Sequence, residues 1–295
     1  MGRRVPQRAV LDLLDAALRD ASWWEQARQA LLTGREGWQY AAARNRAFRC
    51  EPWARPSDLL HCRRPGGGGS DGSGALTERD LGVLLGQREP DPERDSILDL
   101  CRSWPGTQIQ CFVPKAGAGP RSFPRCPQRD GGAGVNPYWL LGPASVLPVL
   151  ALDPRPGHSV LDTCASPGGK SFLLAQHHAA AAAELRSNDL HRGEELALAL
   201  RHHAPGVDVS STDARALGAL GTFDRILVDA PCSTDKHLVL STSATVEREL
   251  PRLRSGFYPA LQASGSCYFA NSATAAPLWP ALASKHQPWR RCGLP

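Results

Sequence analysis

No stretch of this 295-residue chain approaches the about 20 consecutive apolar residues that a bilayer crossing requires, because proline, glycine or polar residues break the longest candidates. Membrane insertion is excluded on that pattern. A C-x-x-C pair is also lacking: Cys50, Cys62, Cys101, Cys111 and Cys126 never reach that spacing, and His61 beside Cys62 stands alone. No zinc site is therefore expected, and no other metal. Nor does a secretory apolar segment precede the nine cysteines, which reads them as reduced thiols rather than a disulfide framework, the five just named being structural. What is present, 42% hydrophobic and 21% charged residues, is the composition of a globular chain. A formal charge of +5 suits a polyanionic partner but is modest by itself.

Met1 to Arg8 is basic and free of acids, which hints at a matrix-targeting segment, although Asp12, Asp15 and Asp20 follow closely and a basic lead into a helix is the other reading. From Val10 to about Leu32, Leu11, Leu14, Leu18, Trp24, Ala27 and Leu31 recur at helical spacing. Trp38, Tyr40 and Phe48 among Arg44, Arg46 and Arg49 combine rings with cations, the mixture that grips single-stranded nucleic acid; an ordinary core with solvated arginines is the competing reading. Pro65 through Gly74 is too rich in glycine to pack and reads as a flexible loop. Ile109, Cys111 and Val113 alternate as a short strand, and a Gly/Pro connector follows to Pro137. Tyr138 to Leu150 reads as a helix interrupted by proline. The expected organisation is a helical region over 1–64, a flexible loop and connector over 65–135, a ligand-binding α/β domain over 136–240 and an atypical tail over 241–295.

The α/β part is the more informative. Val160-Leu161-Asp162 should close a buried strand, Pro167, Gly168 and Gly169 should bend the backbone, and Ser171-Phe172-Leu173-Leu174 should open a helix whose first N–H groups face a ligand. A phosphate-gripping P-loop would need a glycine where Cys164 stands, and a dinucleotide loop needs G-x-G rather than adjacent glycines. An ordinary tight turn is the bland alternative. Strands ending at Asp189, Ser211 and Asp229 alternate with helices, which implies a parallel sheet with its ligand beyond the strands' carboxyl ends. Asp189 follows the turn by about 20 residues, the spacing at which a carboxylate reaches ribose hydroxyls in such folds. Asp213 either meets an adenine amino group or caps a helix at Ala214. Together these residues suit S-adenosyl-L-methionine, its charged end near the turn and Asp162. Cys232, just past the next strand end, is the candidate catalytic thiol; a buried inert thiol is the alternative. A thiol so placed can act as a nucleophile or as an acid-base group.

The segment from Cys164 through Ala165, Ser166, Pro167, Gly168 and Gly169 to Lys170, together with Asp189, Asp213 and Asp229-Ala230-Pro231-Cys232, resembles the Sun-domain RNA cytosine-5 methyltransferases over roughly residues 136 to 240. The resemblance implies a Rossmann-like class I methyltransferase sheet, and it implies that Cys164 to Lys170, Asp189, Asp213 and Asp229 contact the methyl donor. It assigns Cys232 to thiol release, with the attacking cysteine in a later Ser-Thr-Cys motif. Ser241 to Thr245 holds no cysteine, and Gly265-Ser266-Cys267 lacks the motif. The expectation is thus a C-terminally truncated domain, from a splice variant or gene-model product, with impaired activity. A third role for Cys232 is attack on carbon 6 itself. Tyr138 to Leu141, Ala144-Ser145 and Leu147 to Leu152 are similar to the two mitochondrial branches of the family. Asn188-Asp189-Leu190 and Thr234 to His237 resemble the branch acting on small-subunit ribosomal RNA, Trp38 to Ala41 the transfer-RNA branch. Ribosomal RNA in the mitochondrial matrix is the expected setting, with a protein partner for RNA delivery left open. A non-catalytic RNA- or donor-binding module and a P-loop-like nucleotide-binding protein are the alternatives.

Overall fold

The computed structural model describes residues 40–49, 55, 76–104, 106–115, 123, 134–178, 184–214, 223–231 and 243–254, with helical positions scattered between 11 and 29. Its first layer is an antiparallel sheet made from β1 (Ala41–Arg44), β2 (Ile97–Asp99), β3 (Cys111–Pro114) and β4 (Tyr138–Leu141), in the order β2-β3-β1-β4. Strand alternation divides these residues between two cores. Ala41, Ala43, Cys111, Val113 and Leu141 face the rest of the molecule, whereas Ala42, Phe112 and Tyr138 face Leu81, Val83 and Leu84 around helix α1 (Glu78–Leu84). Cys101 and Cys111 are buried here, and burial pushes the Cys101 thiol up to about 12 and Cys111 up as well, so both stay protonated.

The second layer comprises α2 (Val146–Leu152), β5 (Val160–Asp162), α3 (Gly169–His178), β6 (Leu185–Asn188), α4 (Gly193–Arg201), β7 (Asp208–Ser210), β8 (Arg225–Leu227) and α5 (Ser243–Arg254). The four strands are parallel, in the order β7-β6-β5-β8. Numbered within this sheet, the order is 3-2-1-4, the winding that reverses direction beside its first strand and opens a crevice there. Right-handed crossovers through α3 and α4 are the usual way to join such neighbours.

The two sheets share one core. Phe172, Leu173 and Leu174 of α3 and Leu196 and Leu200 of α4 cluster with the inward residues of β1, β3 and β4. Trp139 of β4 stacks on Phe172, with ring centroids 5.8 Å apart, and tilts against His203 at 4.3 Å. Burial pushes the His203 pKa down, so this ring packs in its neutral form at pH 7. Buried Asn45, just after β1, donates to the carbonyls of Asn136 and His203 at 2.8 Å each, and its oxygen accepts from Ala47 N and Gln176 Nε2.

Several expectations are revised. Tyr138–Leu141 is a strand rather than the start of a helix, because Gly142-Pro143 breaks the chain into a 3-10 turn before α2 begins at Val146. The region over 1–64, expected to be helical, contains β1, although its described positions between 11 and 29 are helical. The expected connector over 65–135 contains α1, β2 and β3. The antiparallel sheet therefore draws on residues from Ala41 to Leu141 and crosses the boundary expected at 136. The tail holds α5. Gly66 to Gly74 lies outside the described residues.

A polar knot fastens α1. Asp80 and Thr77 form a reciprocal capping box, and Asp80 also accepts from Ser96 N at 2.7 Å and Ser96 Oγ at 2.6 Å. The buried Asp95 accepts from Arg88 Nη1 at 2.8 Å and Asp91 N at 2.6 Å. Burial alone would raise the Asp95 pKa; the Asp91 amide and Arg88 guanidinium outweigh it and hold the carboxyl below its usual range. Because the folded pKa is depressed, this stabilisation is complete at neutral pH and is lost as pH falls below the unfolded carboxyl's value of about 4. Asp95→Asn is expected to cost about 1–3 kcal/mol in urea melts at pH 7. The difference from the parent chain should shrink in melts at pH 3.

Candidate functional site

At the carboxyl edge of the parallel sheet, two residues tie the strand ends together. Thr163, immediately after β5, donates both N–H and Oγ1 to the Leu227 carbonyl of β8, at 3.0 and 3.1 Å. Asn188, fully buried at the end of β6, donates Nδ2 to the carbonyls of Thr163 at 3.0 Å and Thr212 at 2.8 Å. Its Oδ1 accepts from Ser210 Oγ at 2.9 Å and Thr212 N at 2.8 Å.

The turn from Cys164 to Lys170 lies on this platform. Ala165 N donates to the Asn188 carbonyl at 2.9 Å, and Gly168 N closes back on Ala165 at 2.7 Å; the Ser166–Pro167 peptide is cis. Gly168 has φ +112°, and a Cβ there would lie 3.1 Å from Trp139 Cη2 and 3.2 Å from Leu196 Cδ1. Both the left-handed backbone and the close approach require glycine at this position. Helix α3 starts at Gly169, and Phe172 N completes its first turn on the Gly168 carbonyl.

Charged side chains converge on the turn. Asp189, directly after β6, accepts from Ser166 N at 3.1 Å on Oδ2, and from His191 N and Arg192 N at 3.1 and 2.9 Å on Oδ1. Three of about four acceptor positions on the carboxylate are thereby filled, leaving one on Oδ2. Lys170 Nζ meets Asp229 Oδ2 at 2.5 Å, which brings the segment after β8 against the start of α3. Asp162 is completely buried; its Oδ2 accepts from Ser171 Oγ at 2.7 Å, while Oδ1 has no hydrogen-bond partner. Burial raises the Asp162 pKa to about 7, the Ser171 hydroxyl and Lys170 opposing the rise and Asp229 and Asp189 adding to it. Burial also pushes up the half-buried Cys164 thiol, and the same three carboxylates reinforce the shift. Cys164 is therefore a protonated lining residue rather than a nucleophile.

The sequence-derived candidates fall out as follows. Cys164 to Lys170, Asp189 and Asp229 are brought together at one edge. Asp213 stands one residue beyond Thr212, whose amide and carbonyl both bond Asn188, and is half-buried. The helix it was to cap, beyond Ala214, lies outside the described residues. So does Cys232, although its neighbour Pro231 is described and exposed. Sequence reasoning missed Asn188 as the clamp and Ser171 as the partner of Asp162. An asparagine and a serine flanking the two strand-end carboxylates were the available signal.

Three carboxylates and one lysine gather at this edge, a field that favours a ligand carrying positive charge. A sulfonium with an α-ammonium fits that field, and the unpartnered Asp162 Oδ1 and Ser166 Oγ, both buried at the turn, are unused acceptors for an ammonium group. The residues present thus fit S-adenosylmethionine.

The family described as 16S rRNA methyltransferase RsmB/F matches residues 149–249, a span that contains the turn, Asp189, Asp213, Asp229 and Cys232. Over those residues the chain is similar to the family its motifs resemble. The Sun-domain match extends past 240, the limit expected from the motifs, and into α5. The chain is 35% identical over 205 residues to a 5-cytosine rRNA methyltransferase NSUN4 of Xenopus tropicalis, covering 65% of this chain and 49% of the relative. It is 32% identical over 221 residues to a mitochondrial tRNA (cytosine(34)-C(5))-methyltransferase of Danio rerio, covering 72% and 51%. The chain spans about half the length of these two relatives. A methyltransferase homologue of Pyrococcus horikoshii, of known crystal structure, superposes with a TM-score of 0.45 at 22% identity, over 87% of this chain and 70% of that one. The assignment of the sheet as Rossmann-like rests instead on the strand order above.

Because the folded pKa of Asp162 lies near 7 and the unfolded value near 4, the folded state retains a proton that the unfolded chain has released between them. Stability therefore falls as pH rises from about 4 to about 7. Asp162→Asn should flatten this slope and raise the Tm at pH 8 by a few degrees, at about 2–4 °C per kcal/mol. The same variant should show a smaller Tm rise on adding S-adenosylmethionine. Thermal scans across pH, with and without the donor, measure both effects.

Proposed function

We propose that this chain carries the donor-binding part of an S-adenosylmethionine-dependent RNA cytosine-C5 methyltransferase, acting on ribosomal RNA in mitochondria. The observation that carries the reading is the meeting of the glycine turn with Asp162, Asp189 and Asp229 at one edge of a 3-2-1-4 parallel sheet. The relatives' printed names favour cytosine C5 and RNA, and the Danio rerio relative's name favours mitochondria.

The bound donor would supply an activated methyl group on a sulfonium. Asp189 would accept from the ribose hydroxyls through its remaining Oδ2 position, held in place by the Ser166, His191 and Arg192 amides. Asp162 would take the ammonium, and that cation would hold its carboxyl ionised against the effect of burial. Asp213 would take the adenine amino group, as the resemblance implies. Lys170 anchors Asp229, the first residue of the Asp229-Ala230-Pro231-Cys232 motif. The role of Cys232 in the resemblance is release: once carbon 5 is methylated, loss of the carbon-5 proton and expulsion of the enzyme's thiol need an acid-base group at hand.

A second reading is favoured by one sequence feature. Residues 233–295 contain no Ser-Thr-Cys triplet, so donor and RNA binding without turnover is the alternative.

Incubation of the full chain with methyl-labelled donor and a structured ribosomal RNA fragment separates the two. Label on cytosine C5 supports the enzyme, donor binding without transfer supports the module, and absence of donor binding defeats both. Asp189→Ala is expected to weaken donor binding at least about tenfold by calorimetry, the loss of charge-assisted hydrogen bonds worth roughly 1.5–3 kcal/mol. In an active chain, Cys232→Ala should accumulate a covalent RNA adduct on denaturing gels if Cys232 releases product, and none if it attacks carbon 6.

A further inference from the structure

Away from the donor crevice, a cleft of about 700 Å³ opens between the end of β1 and the β2–β3 connection, and Arg44, Arg46, Arg49, Arg102 and Trp104 line it. Elsewhere in the described structure, Arg79, Arg88, Arg94, Arg155 and Arg186 each sit against a carboxylate. None of the four cleft arginines has such an ion pair among the described residues. Neutral groups hold three of them instead. Arg44 Nη1 donates to Gln110 Oε1 at 2.9 Å, Arg46 donates to Gln108 Oε1, and Arg49 Nη1 donates to the Arg46 carbonyl at 2.7 Å. These hydrogen bonds aim the guanidinium groups without cancelling their charge.

The cleft also contains Glu89 and Asp99. Asp99 Oδ1 is turned inward, accepting from Cys101 N at 2.9 Å and Cys111 N at 3.3 Å, and four arginines against two acids still leave a positive lining. Trp104 is 42% exposed, a large ring left open to solvent beside cations. Guanidinium groups held by amides beside an exposed ring match the phosphates and base faces of a single strand. A lipid surface would not use a recessed pocket of this kind, and an acidic peptide offers no planar partner for the ring.

The position suits a strand that also reaches the crevice. Arg46 N donates to Gln176 Oε1 at 2.7 Å, and Gln176 lies seven residues along α3 from Gly169, where the donor turn ends. At about 1.5 Å per helical residue, that is roughly 10 Å, which a few nucleotides span.

We propose that this cleft is a single-stranded RNA site that holds the substrate away from the cytosine to be modified. The inference rests on the RNA-methyltransferase reading above and adds to it a second point of RNA contact, on the antiparallel sheet.

The test uses the full chain and a fluorescein-labelled single-stranded RNA of about 16 nucleotides, the upper site size for one small single-strand-binding fold. Anisotropy is read across a potassium chloride series, with S-adenosylmethionine binding measured in parallel by calorimetry. Arg102→Glu should weaken RNA binding at least about fivefold and reduce the salt slope by roughly 0.7 for each phosphate that is no longer neutralised. Trp104→Ala should weaken it about fivefold or more, with the slope unchanged. Arg155→Glu, the same charge change outside the cleft, should have a much smaller effect, and all three variants should bind the donor like the parent. Parent-like RNA affinity in both cleft variants overturns the proposal. Equal weakening in Arg155→Glu, or competition by polyglutamate as strong as by unlabelled RNA, also overturns it by showing attraction to net charge alone. Failure of the parent chain to bind the donor would instead remove the methyltransferase reading, and the anisotropy series would still decide the cleft.

Discussion

The fully satisfied carboxamide of Asn188 is the constraint on which the carboxyl edge of the parallel sheet depends. An asparagine side chain offers two donor and two acceptor positions, and all four are used here, on Thr163, Thr212 and Ser210. Its backbone carbonyl takes the Ala165 amide as well. One buried residue thus fixes the ends of β5, β6 and β7 and the start of the turn. A half-satisfied group at this depth would be a liability, but a complete network specifies a single arrangement. Asp189, the next residue, inherits its position from that clamp.

The antiparallel sheet is the second support. It shares a core with α3 and α4, and Asn45, Trp139 and Gln176 join the layers by hydrogen bonds and ring contact. Charge is distributed unequally over this frame. Acids gather where the parallel strands end, and arginines with no carboxylate partner among the described residues gather at the far end of β1. The two ends of the molecule thus differ in the sign of the charge they present, acidic at the strand ends and basic beyond β1.

The parallel sheet was legible because its strands are short apolar or polar-ended runs set between glycine, proline and acidic residues, and its turn has several unusual residues together. The antiparallel sheet was far less so. Three successive alanines in β1 have little intrinsic preference for strands, and they are extended because β1 pairs with β3 on one side and β4 on the other and is buried on both faces. Tyr138 to Leu141 is a continuous apolar run, in which periodicity cannot separate a strand from a helix, so its fate was set by partners about 100 residues away in the chain. Arg44, Arg46 and Arg49 looked like a solvated face, since their convergence with Arg102 and Trp104 exists only once β1 pairs with β3. At the site, the carboxylates were visible as strand-end residues, whereas the hydrogen bonds that orient them come from loops whose meeting no local spacing announces.

The contact between Trp139 and Gly168 ties the history of the two layers together. The indole and Leu196 fill the space a side chain at 168 would need, and φ +112° bars such a side chain in any case, so volume can be exchanged only between 139 and 196. A smaller ring at 139 would open room under the turn that position 168 cannot refill. Sequence drift in the antiparallel sheet is therefore not independent of drift in α4, and paired substitution at 139 and 196 around an unchanging glycine is the pattern that descent should leave behind.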